Sequence, residues 1–337
     1  LILAGITINA VLGDNGIFKT ARDAANKFNE AQQEEGQALA NLEDQIGNFI
    51  NGQVGGDTPD DPDDPASPTV PESWDTSKVT PELSDDNQYI PVPVGFTAST
   101  VKTERKVGDG FVIKQNGTNN EYVWIPANIE NMYEEVETPI KLTGVETTTS
   151  IYSKLRGVTG STPNTTGNRE PDVLSSYDTD EQYYGILEAS STKDMADKMV
   201  AEYLEIHDSI EQYGGFYIGR YELTGTIGTP TVEKGGTVIV QTNWYNLKKA
   251  CMSLVDNSEK EENEITAKTT MIYGNQWDEV VAWLVAKGYN VEDSSTWGNH
   301  KNYNDSVTAD KQVTDAGTKV FEAGASENWK ANNIYDF

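Results

Sequence analysis

The chain has 337 residues, with 54 Asp and Glu against 25 Lys and Arg, and its net charge of −29 argues against nucleic acid and anionic lipid as partners. One cysteine, Cys251, excludes an internal disulfide framework, a CxxC redox pair and a Cys-rich zinc site, and two histidines, His207 and His300, leave little for histidine relays. Only 36% of residues are apolar, yet 7 Trp, 16 Tyr and 8 Phe suffice for a packed domain within a length that allows two or three.

The first stretch, Leu1 to Leu12, is apolar. As a helix it would span about 18 Å, short of the roughly 30 Å of a bilayer core. It reads as a half-length membrane segment, a processed end, or the start of a buried helix. After Gly13-Asp14-Asn15-Gly16, apolar residues from Ile17 through Phe28, Leu39, Leu42, Ile46 and Phe49 recur at three- and four-residue steps. That thin stripe predicts one long polar helix over 17–50, suited to a stalk or to packing against neighbouring helices.

Residues 51–86 change character. Six prolines (Pro59, Pro62, Pro65, Pro68, Pro71, Pro81) remove donors, and five Asp between Asp57 and Asp64 repel one another, so an extended acidic linker is expected. The spacing of those acids does not match a calcium-binding loop.

From Tyr89 the chain becomes aromatic and β-rich. Strands are expected at Gly110–Ile113 and Tyr122–Pro126, separated by the turn-forming Asn116–Asn120. Residues 141–190, rich in Thr, Ser, Gly and Asn, read as a long surface loop. A helix is predicted over 192–213, capped by Thr192, with Met195, Met199, Tyr203, Ile206 and Ile210 on one face and a stop at Gly214-Gly215. A buried strand over 216–222 and two shorter helices follow. One helix presents Trp244, Leu247, Cys251 and Leu254; the other presents Trp277, Val280, Val281 and Leu284.

Candidate chemistry is sparse. Cys251, on an apolar face, reads as a small hydrophobe rather than a nucleophile. His207, among Glu205, Asp208 and Glu211, is expected on a solvated face. Arg220 and Glu222 alternate along an apolar strand, where structural ion pairing is expected ahead of ligand contact. The polar aromatic run holding Trp297, Asn299, His300 and Tyr303 is the candidate ligand-facing loop, for sugar or protein. No GxGxxG, Walker A or HExxH motif is present, and nothing in the residues calls for a cofactor or metal.

Two resemblances follow from quoted segments. LILAGITINAVLGDNGIFKTARDAANKFNEAQQEE, at residues 1–35, resembles the type IV pilin-like N-terminal segment of Gram-positive anaerobes, which implies membrane insertion and self-assembly through that helix. YVWIP (122–126), GGFYIGRYE (214–222), NWYNLKKAC (243–251), MIYGNQWDEVVAWL (271–284) and NNIYDF (332–337) resemble, in order, motifs of the formylglycine-generating-enzyme-like (sulfatase-modifying-factor) superfamily. That resemblance implies a C-type-lectin-like α+β head. The expected fold class is therefore α+β: a pilin-like helix over 1–50, a disordered acidic Pro-rich linker over 51–86, and the head over 87–337. The expected function is non-enzymatic: a pilin-like or membrane-tethered cell-surface protein presenting a lectin-like head to a carbohydrate or protein ligand. The alternative is a divergent oxidase of the family, whose copper-binding catalytic cysteines would lie beyond residue 337. A head ending at Phe337 is expected to lack late strands, leaving exposed an apolar face with Trp124, Phe216, Tyr217 and Trp277 and only marginal stability.

Overall fold

The computed structural model describes residues 4–8, 68–135, 141–142, 145–146, 151–154, 157–159, 162–164, 168–169, 189–255, 266–291, 312–315, 318–325, 327 and 330–336. Residues 1–10 and 69–337 belong to one compact unit and 11–68 to a second, of which only Pro68 is among the described residues. The predicted stalk helix over 17–50 and the Asp-rich part of the linker fall there.

The unit is mixed α and β, with antiparallel sheets and helices. Its strands are β1 (Ala4–Ile8), β2 (Val79–Leu83), β3 (Tyr89–Pro93), β4 (Phe96–Ala98), β5 (Val112–Gln115), β6 (Glu121–Pro126) and β7 (Tyr133–Glu135). Six short strands follow: β8 (Lys141–Leu142), β9 (Val145–Glu146), β10 (Ile151–Lys154), β11 (Gly157–Thr159), β12 (Thr162–Asn164) and β13 (Asn168–Arg169). Then come β14 (Gly215–Gly219), β15 (Thr224–Thr226), β16 (Thr229–Thr231), β17 (Ala267–Met271), β18 (Gln312–Asp315) and β19 (Thr318–Phe321). The helices are α1 (Ile129–Met132), α2 (Thr192–Tyr213), α3 (Trp244–Ser253) and α4 (Gly274–Ala286).

The principal sheet has the order β17-β1-β14-β6-β5-β4. Its middle is set by side-chain alternation. In the β6–β14 pair, Trp124 faces Tyr217 while Val123 faces Ile218 and Ile125 faces Phe216. Tyr122, Trp124 and Tyr217 point to one face, where Leu247, Cys251 and Leu254 from around α3 cover them. Val123, Ile125, Phe216 and Ile218 point to the other, against Tyr203, Ile206 and Ile210 of α2 and Val280 and Leu284 of α4. Both faces are thus buried, which accounts for strands that read as nearly unbroken apolar runs. The expected exposure of Trp124, Phe216 and Tyr217 is overturned: they are 3%, 2% and 0% exposed, and Trp277 packs half-buried against the second face.

Helix ends follow local chemistry. The cap of α2 is Ser191, one residue before the predicted Thr192, and its side chain accepts the Asp194 N–H. Gly214, at φ 77°, closes α2 in the left-handed conformation that favours glycine. The Asn243 side chain caps α3 by accepting the Asn246 N–H.

Residues 331–336 are buried. Ala331 and Ile334 form a bridge, and the Asn333 amide donates to the carbonyls of Thr103, Asp109 and Gly110 at 3.0–3.1 Å. The Asn332 carbonyl lies where a side chain at Gly110 would be: a Cβ there would meet it at 1.9 Å.

Three expectations are corrected. The apolar start, expected as a helix, is a strand at Ala4–Ile8. Its β-branched Ile6-Thr7-Ile8 run favours extended backbone, and a short apolar run carries no period that separates helix from strand. The linker ends earlier than residue 86, because the folded unit begins at Thr69 and β2 pairs along its length with β3. Pro81 and Pro91 face each other in that hairpin, tolerated because an edge position needs no N–H from them. Of the expected loop over 141–190, the described segments include paired strands: β8 with β9, β11 with β12, and β7-β10-β13. Their Thr and Val residues suit strands, a preference masked by the segment's overall turn-like composition.

Candidate functional site

The predicted ligand loop, with Trp297, Asn299, His300 and Tyr303, lies outside the described residues. Among the described residues, three of the clusters of ionisable side chains centre on Arg220, Glu202 and His207, and one polar recess adjoins the first.

Arg220 follows β14 directly. Its guanidinium contacts Glu104 at 2.7 Å and Glu121 at 2.8 Å, and Tyr221 and Tyr335 each bring a ring centroid to 5.6 Å. The two rings stack at 5.1 Å, and the Tyr335 N–H donates to the Arg220 carbonyl. The Arg220 side chain is only 7% exposed, so its charge depends on those two carboxylates. Ion pairing was the expected role, but the partners come from a short turn at Lys102–Glu104 and from β6, distant in sequence.

Glu104 and Glu121 also border a recess of about 300 Å³ on the outer strands β4 and β5. Thr97, Ser99, Thr118, Asn116 and Lys114 supply hydroxyls, an amide and an ammonium around it. No aromatic residue lines it. Such a lining can hydrogen-bond hydroxyl or amide groups of a ligand. Both carboxylates pair with Arg220, and the Ser99 hydroxyl donates to the free oxygen of Glu104 at 2.5 Å.

Glu202 on α2 forms the second centre. Its Oε1 accepts from Lys248 Nζ on α3, from the Thr270 hydroxyl on β17 at 2.7 Å, and from the Tyr273 hydroxyl at 3.0 Å. Burial alone would push the carboxyl up, but the Lys248 ammonium and these hydrogen bonds reverse that and hold it below its ordinary value. One carboxylate therefore fastens two helices to a sheet strand.

The third centre is His207, Asp208 and Glu211 on α2, whose ligand atoms lie within 4.8 Å of one another. The geometry is compatible with a divalent cation, but His207 Nδ1 is already 2.9 Å from Asp208 Oδ1. Burial pushes the Glu211 carboxyl up, with His207 opposing and Asp208 adding to the shift. His207 was expected on a solvated face. It is instead 8% exposed, edge-on to Tyr133 at 4.8 Å, because β7 covers that side of the helix and the local sequence gives no sign of it.

Cys251 is fully buried, as its apolar neighbours predicted, and burial pushes its thiol up to about 12. No helix among the described residues is long and apolar enough to cross a membrane. Comparisons with protein-family models, curated proteins and solved structures find no match for this chain. What sequence reasoning missed are the partners: Glu104, Glu121 and Tyr335 for Arg220, and Glu202 for Lys248. The one signal read in the sequence was Arg220, a cation set within an apolar strand.

Proposed function

We propose that this chain is a non-enzymatic display protein of the cell surface, whose head holds a carbohydrate or peptide ligand. The observation that carries the proposal is the polar recess beside Arg220, whose rim offers hydroxyl, amide and ammonium groups while its carboxylates serve as ion-pair partners. The inert Cys251 and the acidic, Pro-rich composition of residues 51–68 support the same reading. The sequence resemblance to lectin-like heads adds to it. Because Ala4–Ile8 lies in the sheet, attachment to the surface is not assigned to that segment.

A panel of polysaccharides and peptides tested against the full chain by calorimetry should yield a ligand whose affinity drops about tenfold in Lys114→Glu. Lys114 is exposed and its side chain makes one surface hydrogen bond, to Asn119, so folding should survive the change. A ligand that binds the variant as well as the parent chain would move the site elsewhere. Conversion of a cysteine peptide to formylglycine by the full chain with copper would overturn the non-enzymatic part.

A further inference from the structure

The end of α2 gathers negative charge without a matching Lys or Arg. A helix carries a partial negative charge at its C-terminus, where cations are favourable, yet the last turn of α2 holds no basic residue. It holds Glu211 instead, four residues after His207 and three after Asp208, the two spacings that make helix side chains neighbours. Among the described residues, no Lys or Arg pairs with Asp208 or Glu211. Elsewhere in the head, Glu104 and Glu121 share Arg220, and Glu202 meets Lys248.

The imidazole is the unusual member of the group. His207 is more than nine-tenths buried, yet its one hydrogen-bond partner among the described residues is Asp208, with Nδ1 2.9 Å from Oδ1. Tyr133 packs edge-on against the ring, and its own hydroxyl is buried with no hydrogen-bond partner among the described residues. A buried, unpaired donor beside a ligand group is what orients the ligands of a metal. Two ligands at right angles on one ion, with bonds of about 2.1 Å, stand about 3 Å apart, which is the His207–Asp208 spacing. The ligand atoms of all three residues lie within 4.8 Å of one another. Asp208 and Glu211 are only half-buried, so side-chain rotation closes the remaining gap.

We propose that His207, Asp208 and Glu211 bind a divalent transition-metal ion of the zinc class. The imidazole nitrogen selects that class: calcium and magnesium take oxygen ligands, whereas zinc and its neighbours accept nitrogen together with carboxylate. Two carboxylates and a neutral imidazole balance the charge of such an ion. The ion takes the place of the proton between His207 and Asp208, and it gives Glu211 the counter-charge that the helix end lacks. Three ligands from one helix leave further positions to water on the side where Asp208 and Glu211 meet solvent. The recess of the display reading is lined by other residues, so neither site depends on the other.

The test uses the full chain, stripped of metal with a chelator and titrated in a calorimeter with zinc chloride. Excess magnesium is present throughout, to fill loose acidic sites such as the run from Asp57 to Asp64. The parent chain should show saturable zinc binding that His207→Gln abolishes and Glu211→Gln weakens by about tenfold or more. Glu211 is half-buried and glutamine keeps its size, so this variant decides the matter even where His207→Gln does not fold. Glu205→Gln removes the same charge from the same helix at an exposed ion pair with Lys268, and should bind zinc as the parent does. Zinc should also raise the melting temperature of the parent and of Glu205→Gln, but not of Glu211→Gln. Absence of saturable zinc binding by the parent would overturn the proposal. So would undiminished binding by Glu211→Gln, an equal loss in Glu205→Gln, or tighter binding of calcium than of zinc.

Discussion

Two carboxylates, Glu202 half-buried and Asp336 fully buried, show how differently this protein treats the same group. Glu202, where α2, α3 and β17 meet, has an ammonium and two hydroxyls on one oxygen, and its pKa is lowered. Asp336, in the C-terminal turn, is 0% exposed; its Oδ2 accepts the Gly324 N–H at 2.6 Å, and its Oδ1 meets no donor among the described residues. Burial pushes Asp336 up to about 7, against the pull of that N–H and of Lys234. Depth alone does not set the charge state: a cation in contact outweighs desolvation, and a single amide does not.

The largest expected effect comes from breaking the first site. Glu202→Ala leaves the Lys248 ammonium, 5% exposed, without its carboxylate and should cost about 3–5 kcal/mol. A fall in the urea midpoint with an unchanged slope would report it. A loss below about 1 kcal/mol would mean that water reaches Lys248 and that the site is not sealed.

Asp336 should act in the opposite sense. Because its folded pKa lies above its unfolded value of 3.8, the native state retains a proton that the unfolded chain has released between about pH 4 and 7. Its contribution is favourable below that window, declines as pH rises through it, and is constant above. Asp336→Asn should therefore raise the melting temperature at pH 8, leave it nearly unchanged at pH 4, and flatten the slope between, by up to about 4 kcal/mol. Glu202, lowered rather than raised, contributes above its unfolded value and loses that contribution as pH falls through its folded value. The parent chain should thus be most stable in mildly acidic solution; a stability maximum above pH 8 would contradict this pairing of signs.

Arg220→Leu tests an intermediate case, in which one cation serves two carboxylates bordering an open recess. Glu104 and Glu121 are 14% and 26% exposed and can be hydrated from that side, so the loss should be smaller than at Glu202, about 2 kcal/mol. A larger loss than that of Glu202→Ala would show the recess to be drier than its lining implies. The smallest effect belongs to the surface. Lys268 and Glu205 pair at 2.9 Å but are 49% and 43% exposed, and Lys268→Ala should change stability by no more than about 0.5 kcal/mol in thermal melts.

Much of the head was legible from residue patterns. The five apolar positions of α2, its stop at Gly214, the β5–β6 hairpin and the burial of Cys251 follow from local periodicity and turn chemistry, which act over a few residues. Arg220, a cation within an apolar strand, also announced that a buried partner must exist. Which partners they are was not legible, because Glu104 and Arg220, or Glu202 and Lys248, meet only after the chain has folded across long separations.

The N-terminal segment marks the limit most sharply. Its amino acids determined that Leu1 to Leu12 is apolar and must find an apolar or hydrogen-bonding environment. Only the tertiary structure decided that Ala4–Ile8 would extend between β14 and β17, because a short apolar run satisfies a helix and a strand equally, and an open pair of sheet edges breaks that tie.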